Sequence, residues 1–146
     1  MADLGINVIF EGRNLVRILE GLGVTVGISA LSVVLSLVIG VFVGLGMRSR
    51  WRPLRWLMQL YLEFVRIMPQ LVLLFVAYFG LTRVAGINLD GITASILVFT
   101  LWGGAEMGDL VRGALISIPR HQYESASALG LTPRQTMRRV ILPQTL

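Results

Sequence analysis

The chain has 146 residues, of which 55% are hydrophobic and 14% charged, with a net charge of +5 and a mean hydropathy of +0.76. A soluble domain carries about 25% charged residues, so the deficit points to a membrane protein. Every basic residue is arginine and cysteine is absent, which excludes a Walker A loop with its lysine, a lysine Schiff base, a disulfide framework, a thiolate nucleophile and a cysteine-held zinc. The lone His121 cannot build a multi-histidine metal site, and no nucleophile–base pair can be assembled around it. No cofactor, no metal and no enzymatic centre are expected, and any ATP-driven work falls to another polypeptide.

Residues 1–20 read as a tail. From Gly21 to Met47 the sequence GLGVTVGISALSVVLSLVIGVFVGLGM carries no charge. A membrane span needs roughly 20 apolar residues, so a transmembrane helix is predicted over about 21–47. A signal peptide is the alternative, but the run is too long for its apolar region and no basic segment directly precedes it. Ser32, Ser36, Gly40 and Gly44 recur at every fourth position. Small residues are common in membrane helices, but such ladders also let two helices approach closely. The partner would lie in this chain or in a second subunit.

The second predicted span covers about 56–81. Its outer half, LVLLFVAYFGL, is apolar, while its inner half, WLMQLYLEFVRIMP, carries Glu63, Arg66 and Pro69. The proline can kink the helix and leave a carbonyl free to face a pathway. The third span is predicted over about 92–112. Its uncharged part, ITASILVFTLWGGA, rises only about 21 Å against a hydrocarbon core of about 30 Å. The helix must therefore continue past Glu106 to include Asp109 and Arg112. A carboxylate at mid-membrane costs about 2.5–3.5 kcal/mol, which favours an interface or a protein interior for Glu106 and Asp109. Glu63 with Arg66, and Asp109 with Arg112, are three residues apart and share a helix face. They read either as part of a substrate pathway or as pairs that neutralise each other near the interface.

Arginine sets the orientation. Arg48, Arg50, Arg52 and Arg55 crowd the link between the first two spans, and Arg112, Arg120, Arg134, Arg138 and Arg139 follow the third. Two crossings separate the clusters, so both lie on one side, and the positive-inside rule makes that side cytoplasmic. The N-terminal tail, with Asp3, Glu11 and Glu20 against Arg13 and Arg17, is then outside.

Residues 114–143 form a cytoplasmic segment of helix, glycine corner and helix. Pro119 suits a first helical turn, Gly130 the position just past a helix end, and Thr132, Pro133 and Gln135 a capping box opening a second helix. Pro143 should kink or stop that helix. Arg134, Arg138 and Arg139 would suit nucleic-acid phosphates, but three spans precede the pair and no third soluble helix packs it, so no nucleic-acid partner is expected.

The segment resembles the signature of permease subunits of bacterial ABC importers, E-A-A-x3-G-x9-I-x-L-P. Glu124, Ser125 and Ala126, then Gly130, then Val140, Ile141, Leu142 and Pro143 stand at that spacing, with Ser125 and Val140 as small departures. Upstream, YLEFVRIMPQLVLLFVAYFGL is similar to the E-F-x-R-G-T-P…Y-F-G wording of the polar amino acid branch, matching at Glu63, Arg66, Pro69, Tyr78, Phe79 and Gly80. Ile67 and Met68 replace the usual small pair. The resemblance runs from about Leu19 to Leu146. It implies an all-α integral membrane protein of the type I importer fold with three transmembrane helices and the cytoplasmic coupling loop, lacking about two later helices of the family.

The resemblance further implies a role for the loop: docking on a cytoplasmic ABC ATPase through Glu124, Ser125, Ala126, Ala128, Gly130, Val140, Leu142 and Pro143. Glu63, Arg66, Pro69, Glu106 and Asp109 would then lie along a substrate pathway. The implied partners are the ATPase, a periplasmic solute-binding protein and a second permease subunit, in the lipid of a bacterial inner membrane. The alternative is a small structural or pore-forming membrane protein with no ATPase partner. It would explain the spans but not the motif spacing.

Overall fold

The computed structural model describes residues 12–145. Helix α1 spans Asn14–Gly46 and α2 spans Arg52–Ile67. Helix α3, Gln70–Phe75, runs through a π-helical turn, Val76–Gly80, into α4, Leu81–Ala85. The long α5, Gly91–Ser117, is followed by α6, Arg120–Ala128. Helix α7, Pro133–Thr136, passes through a second π-helical turn, Met137–Ile141, into α8, Leu142–Thr145. Of the expected N-terminal tail, residues 1–11 lie outside the described residues. Helix α1 already begins at Asn14, so Arg17 and Glu20 sit in its N-terminal turns.

Helices α1 and α5 are each long and apolar enough to cross a membrane. The second predicted span, over 56–81, is a broken pair, Arg52–Ile67 and Gln70–Gly80, bent by 103° at the proline expected to kink it. Pro69 causes the break. A proline ring excludes the residue before it from the α region, and Met68 is accordingly extended, with ψ 131°. Pro69 is extended too, with ψ 135°. Its carbonyl accepts from the amides of Val72 and Leu73 at 2.9 and 3.2 Å, which starts α3 afresh.

Helix α5 begins where Asp90 caps it. The Asp90 carboxylate accepts from the backbone amides of Ile92 and Thr93 at 3.1 and 3.2 Å. The Thr93 hydroxyl, followed by these backbone amides, holds its pKa below the ordinary carboxylate range.

The centre of the fold is the pairing of α1 with α5, which run parallel. Contacts advance together along both, from Ser36 against Gly103 to Gly44 against Val111. Ser32, Ser36, Gly40 and Gly44 are all buried in this seam. A methyl on Gly44 would fall 2.5 Å from Val111 Cγ1, and one on Gly108 would fall 2.7 Å from Val43 Cγ1. The Ser36 hydroxyl donates to the carbonyls of Thr100 and Phe99 at 3.2 and 3.4 Å. Helix α5 answers with its own buried ladder, Thr100, Gly104 and Gly108. The partner of the α1 ladder is therefore in the chain. The outer faces carry exposed Val34, Phe42, Leu110 and Ile116, an apolar surface of the kind lipid or another membrane subunit covers.

Helix α2 leans on α5 through buried Val65 and through the Tyr61 hydroxyl, which donates to the Leu101 carbonyl at 2.5 Å. Its polar residues, Arg52, Arg55, Gln59, Glu63 and Arg66, recur three or four apart and are all exposed. At helical spacing they make one continuous polar stripe along an otherwise apolar helix.

Candidate functional site

Two groups of residues stand out, one at the C-terminal ends of α1 and α5 and one where α2 meets α5. The first begins at Ile118, which precedes Pro119 and is extended, with ψ 123°. The same pre-proline rule that breaks α2 therefore ends α5. Pro119 stands at the cap of α6, just before the first turn. At the other end of α6 the Gly130 amide bonds to the Ser127 carbonyl at 2.9 Å and the Leu131 amide to the Ala126 carbonyl at 3.1 Å. Gly130 has φ 76°. This is a Schellman turn with glycine in the left-handed region. Thr132 and Gln135 then form the expected capping box, the Thr132 amide donating to Gln135 Oε1 at 2.9 Å and the Gln135 amide to Thr132 Oγ1 at 3.4 Å.

The second helix does not stop at Pro143. It widens into the π-helical turn Met137–Ile141 and continues as α8. A proline ring collides with the carbonyl four residues before it, here Arg139, and that carbonyl lies within the widened turn.

The segment is seated on a buried cluster of Leu115, Ile118 and Ile141, with Leu45, Val111, Tyr123, Met137, Val140 and Leu142 packed around it. The motif residues therefore divide. Val140 and Leu142, expected at the ATPase contact, are part of this seat. Ala126, expected among the docking residues, is only 3% exposed, because it follows Tyr123 by three residues on the inward side. Pro143 is exposed at the far end. The outward face of α6 carries His121, Glu124, Ser125 and Ala128 at i, i+3, i+4 and i+7, and Leu129 follows at 80% exposure. Sequence reasoning missed Ile141, Tyr123 and Leu129.

The second group is an ion-pair network. Arg66 Nε lies 2.8 Å from Glu106 Oε1, and Arg66 Nη1 lies 2.8 Å from Asp109 Oδ2. Arg112 Nη2 completes it at 2.7 Å from Asp109 Oδ1. Two cations and two carboxylates thus neutralise one another, which offsets the cost of charge in a membrane helix. The Asp109–Arg112 pair is as the spacing suggests. The Glu63–Arg66 pair is not formed, because Arg66 reaches across to α5. Glu63 is exposed and, among the described residues, makes no ion pair. It is the fourth of the five residues in the polar stripe of α2.

Beside the network, a cavity of about 350 Å³ opens against α1 and α5, lined by Ser32, Ser36, Gln70, Trp102 and Glu106 among others. The Ser32 hydroxyl is buried there with no hydrogen-bond partner among the described residues. Pro69 itself contributes the break that brings Gln70 to this cavity.

Residues 36–146 match the family described as binding-protein-dependent transport system inner membrane component. A probable amino-acid ABC transporter permease protein, YckA, of Bacillus subtilis (strain 168) is 40% identical over 129 residues, covering 88% of this chain and 57% of that protein. A probable glutamine ABC transporter permease protein, GlnM, of the same organism is 33% identical over 143 residues, covering 98% of this chain and 65% of that protein. The chain thus spans less than two thirds of the length of these relatives. Among solved structures, an amino acid ABC transporter with histidines superposes with a TM-score of 0.77 at 26% identity, over 89% of this chain and 64% of that one. The motif spacing, the helical membrane architecture and the match over most of the sequence agree: the chain belongs to the family of binding-protein-dependent transport system inner membrane components.

Proposed function

We propose that this chain is the permease subunit of an ABC importer for polar amino acids, forming half of a translocation pore with a second permease subunit. A periplasmic solute-binding protein delivers substrate, and a separate cytoplasmic ATPase drives the cycle. The reading rests foremost on α6. It is a short helix held at one end by a pre-proline break and at the other by a left-handed glycine, with one face packed on the seat and the other fully outward. That outward face, with His121, Glu124, Ser125, Ala128 and Leu129, is shaped to enter a groove on the ATPase. Gly130 admits the corner because a side chain at φ 76° would be strained.

An orientation with the N-terminus periplasmic and the coupling segment cytoplasmic is supported by arginine. Arg48 at the end of α1 and Arg120 just past α5 lie at the same end of two parallel helices. The polar stripe of α2, ending at Arg66, whose partner Glu106 lines the cavity, supports Glu63, Arg66, Pro69, Glu106 and Asp109 as contributors to the substrate pathway.

The test is ATPase capture. Leu129→Asp places a charge on the most exposed apolar residue of the outward face and touches nothing in the seat. Membrane insertion should be unchanged, and co-purification of the ATPase encoded with this chain should fall at least tenfold. Capture equal to that of the unmodified protein would sink the docking role, and no capture by the unmodified protein would favour a membrane protein without an ATPase.

A further inference from the structure

Arg48 does more than add positive charge at the end of α1. Its Nη1 donates to the Leu115 carbonyl at 2.6 Å. Four residues after Leu115, where a helix would supply the amide to pair with that carbonyl, stands Pro119, which has no N–H. The proline that ends α5 thereby leaves an orphan acceptor in the last turn, at the negative end of the helix dipole. A guanidinium from the turn just past α1 fills the vacancy. The same guanidinium lies over the ring of Tyr123 on α6, with Cζ 5.2 Å from the ring centroid, within the range of a cation–π contact. The Tyr123 hydroxyl is buried and has no hydrogen-bond partner among the described residues, so the ring, and not its oxygen, makes the interaction.

We infer that Arg48 is a positioning residue that clamps α6 to the ends of α1 and α5, so that force applied to the docking helix moves the α1–α5 pair as one body. Without the clamp, the extended Ile118–Pro119 joint is held by the apolar seat alone and absorbs the motion. The pair it grips is suited to transmit movement. Glycines packed under 3 Å from where methyls would sit, at Gly44 and Gly108, leave the seam no slack. The inference rests on the permease reading for what the motion does, but the clamp itself does not.

The test uses Arg48→Met, which keeps an apolar stem and removes donor and charge, in the assembled transporter in proteoliposomes. ATPase capture and basal hydrolysis should stay within twofold of wild type, while substrate uptake per ATP hydrolysed falls at least tenfold. Tyr123→Phe should couple like wild type and Tyr123→Leu should fail like Arg48→Met. A role confined to folding would instead lower protein amount in Arg48→Met and Tyr123→Leu and leave uptake per ATP hydrolysed unchanged in the protein that inserts. A nitroxide on Ser127→Cys, in a chain with no other cysteine, reads the clamp directly and without the ATPase. Arg48→Met should make the label clearly more mobile, and so should Tyr123→Leu. Coupled uptake within twofold of wild type in Arg48→Met, or unchanged label mobility, overturns the inference. If wild type captures no ATPase, the permease reading fails and label mobility alone decides the clamp.

Discussion

Two glycines of the same helix should respond to alanine in opposite ways. At Gly113 nothing lies within 4 Å of an added methyl, so Gly113→Ala gains helix propensity alone, about 0.5–1 kcal/mol. At Gly108 the methyl would lie 2.7 Å from Val43 Cγ1 and 3.0 Å from Val43 Cβ. Carbon atoms prefer about 3.5–4.0 Å, so the seam must open by roughly 1 Å to admit it. Overpacking of this kind costs about 1–3 kcal/mol, and opening also stretches the 3.2 Å bond from Ser36 to the Thr100 carbonyl. Gly108→Ala should therefore fall about 1–3 kcal/mol below Gly113→Ala. The measurement is unfolding of the purified chain in mixed micelles with increasing SDS, followed by circular dichroism. Adding Val43→Ala removes the colliding Cγ1, and the double variant should show a favourable coupling of at least 0.5 kcal/mol. Equal stability of the two alanine variants would refute the close parallel packing of α1 on α5.

Glu63 and Arg66 should separate into different phenotypes. Arg66→Gln strips Glu106 and Asp109 of a partner and should cost roughly 1–3 kcal/mol with less inserted protein on immunoblots. Glu63→Gln should leave stability within about 0.5 kcal/mol while lowering uptake or altering substrate preference; full uptake would remove Glu63 from the pathway. At the other end of the fold, Asp90→Ala should lose amide-exchange protection at Ile92 and Thr93, and Asp90→Asn should keep most of it. Because the folded pKa of Asp90 is lowered, its contribution is present above the ordinary carboxylate pKa and is lost as pH falls through the lowered value. A titration by carbon-detected NMR that finds the Asp90 pKa above that of a model aspartate would contradict the cap.

Much of this molecule is written in short-range rules. The uncharged run after Gly21 demanded a span, the shortness of ITASILVFTLWGGA demanded that the helix run on past Glu106, and Gly130, Thr132 and Gln135 announced a helix end and a helix start. Each depends on atoms within a turn or two of one another, so each was legible before any fold existed. Pro69 marks a kink only in kind: the rule for the residue before proline says that the helix must bend, whereas the 103° angle depends on where α2 and α3 find surfaces to pack against. Partners were the part that local rules could not reach. The ladder on α1 shows a face fit for close approach but not that α5 fills it. Arg66 is three residues from Glu63 and chose carboxylates on another helix, because α2 leans on α5 and brings its guanidinium within 3 Å of Glu106 and Asp109. Ala126 and Ala128 are alike in sequence, and only the seat formed by Leu115, Ile118 and Ile141 decides that the first is buried and the second faces out. Arg48 is the clearest case. Its charge told the side of the membrane, a property of composition, but its task at the orphan carbonyl of Leu115 exists only once α1 and α5 lie parallel, because that juxtaposition alone brings a donor from one helix to a carbonyl that proline has left unpaired on another.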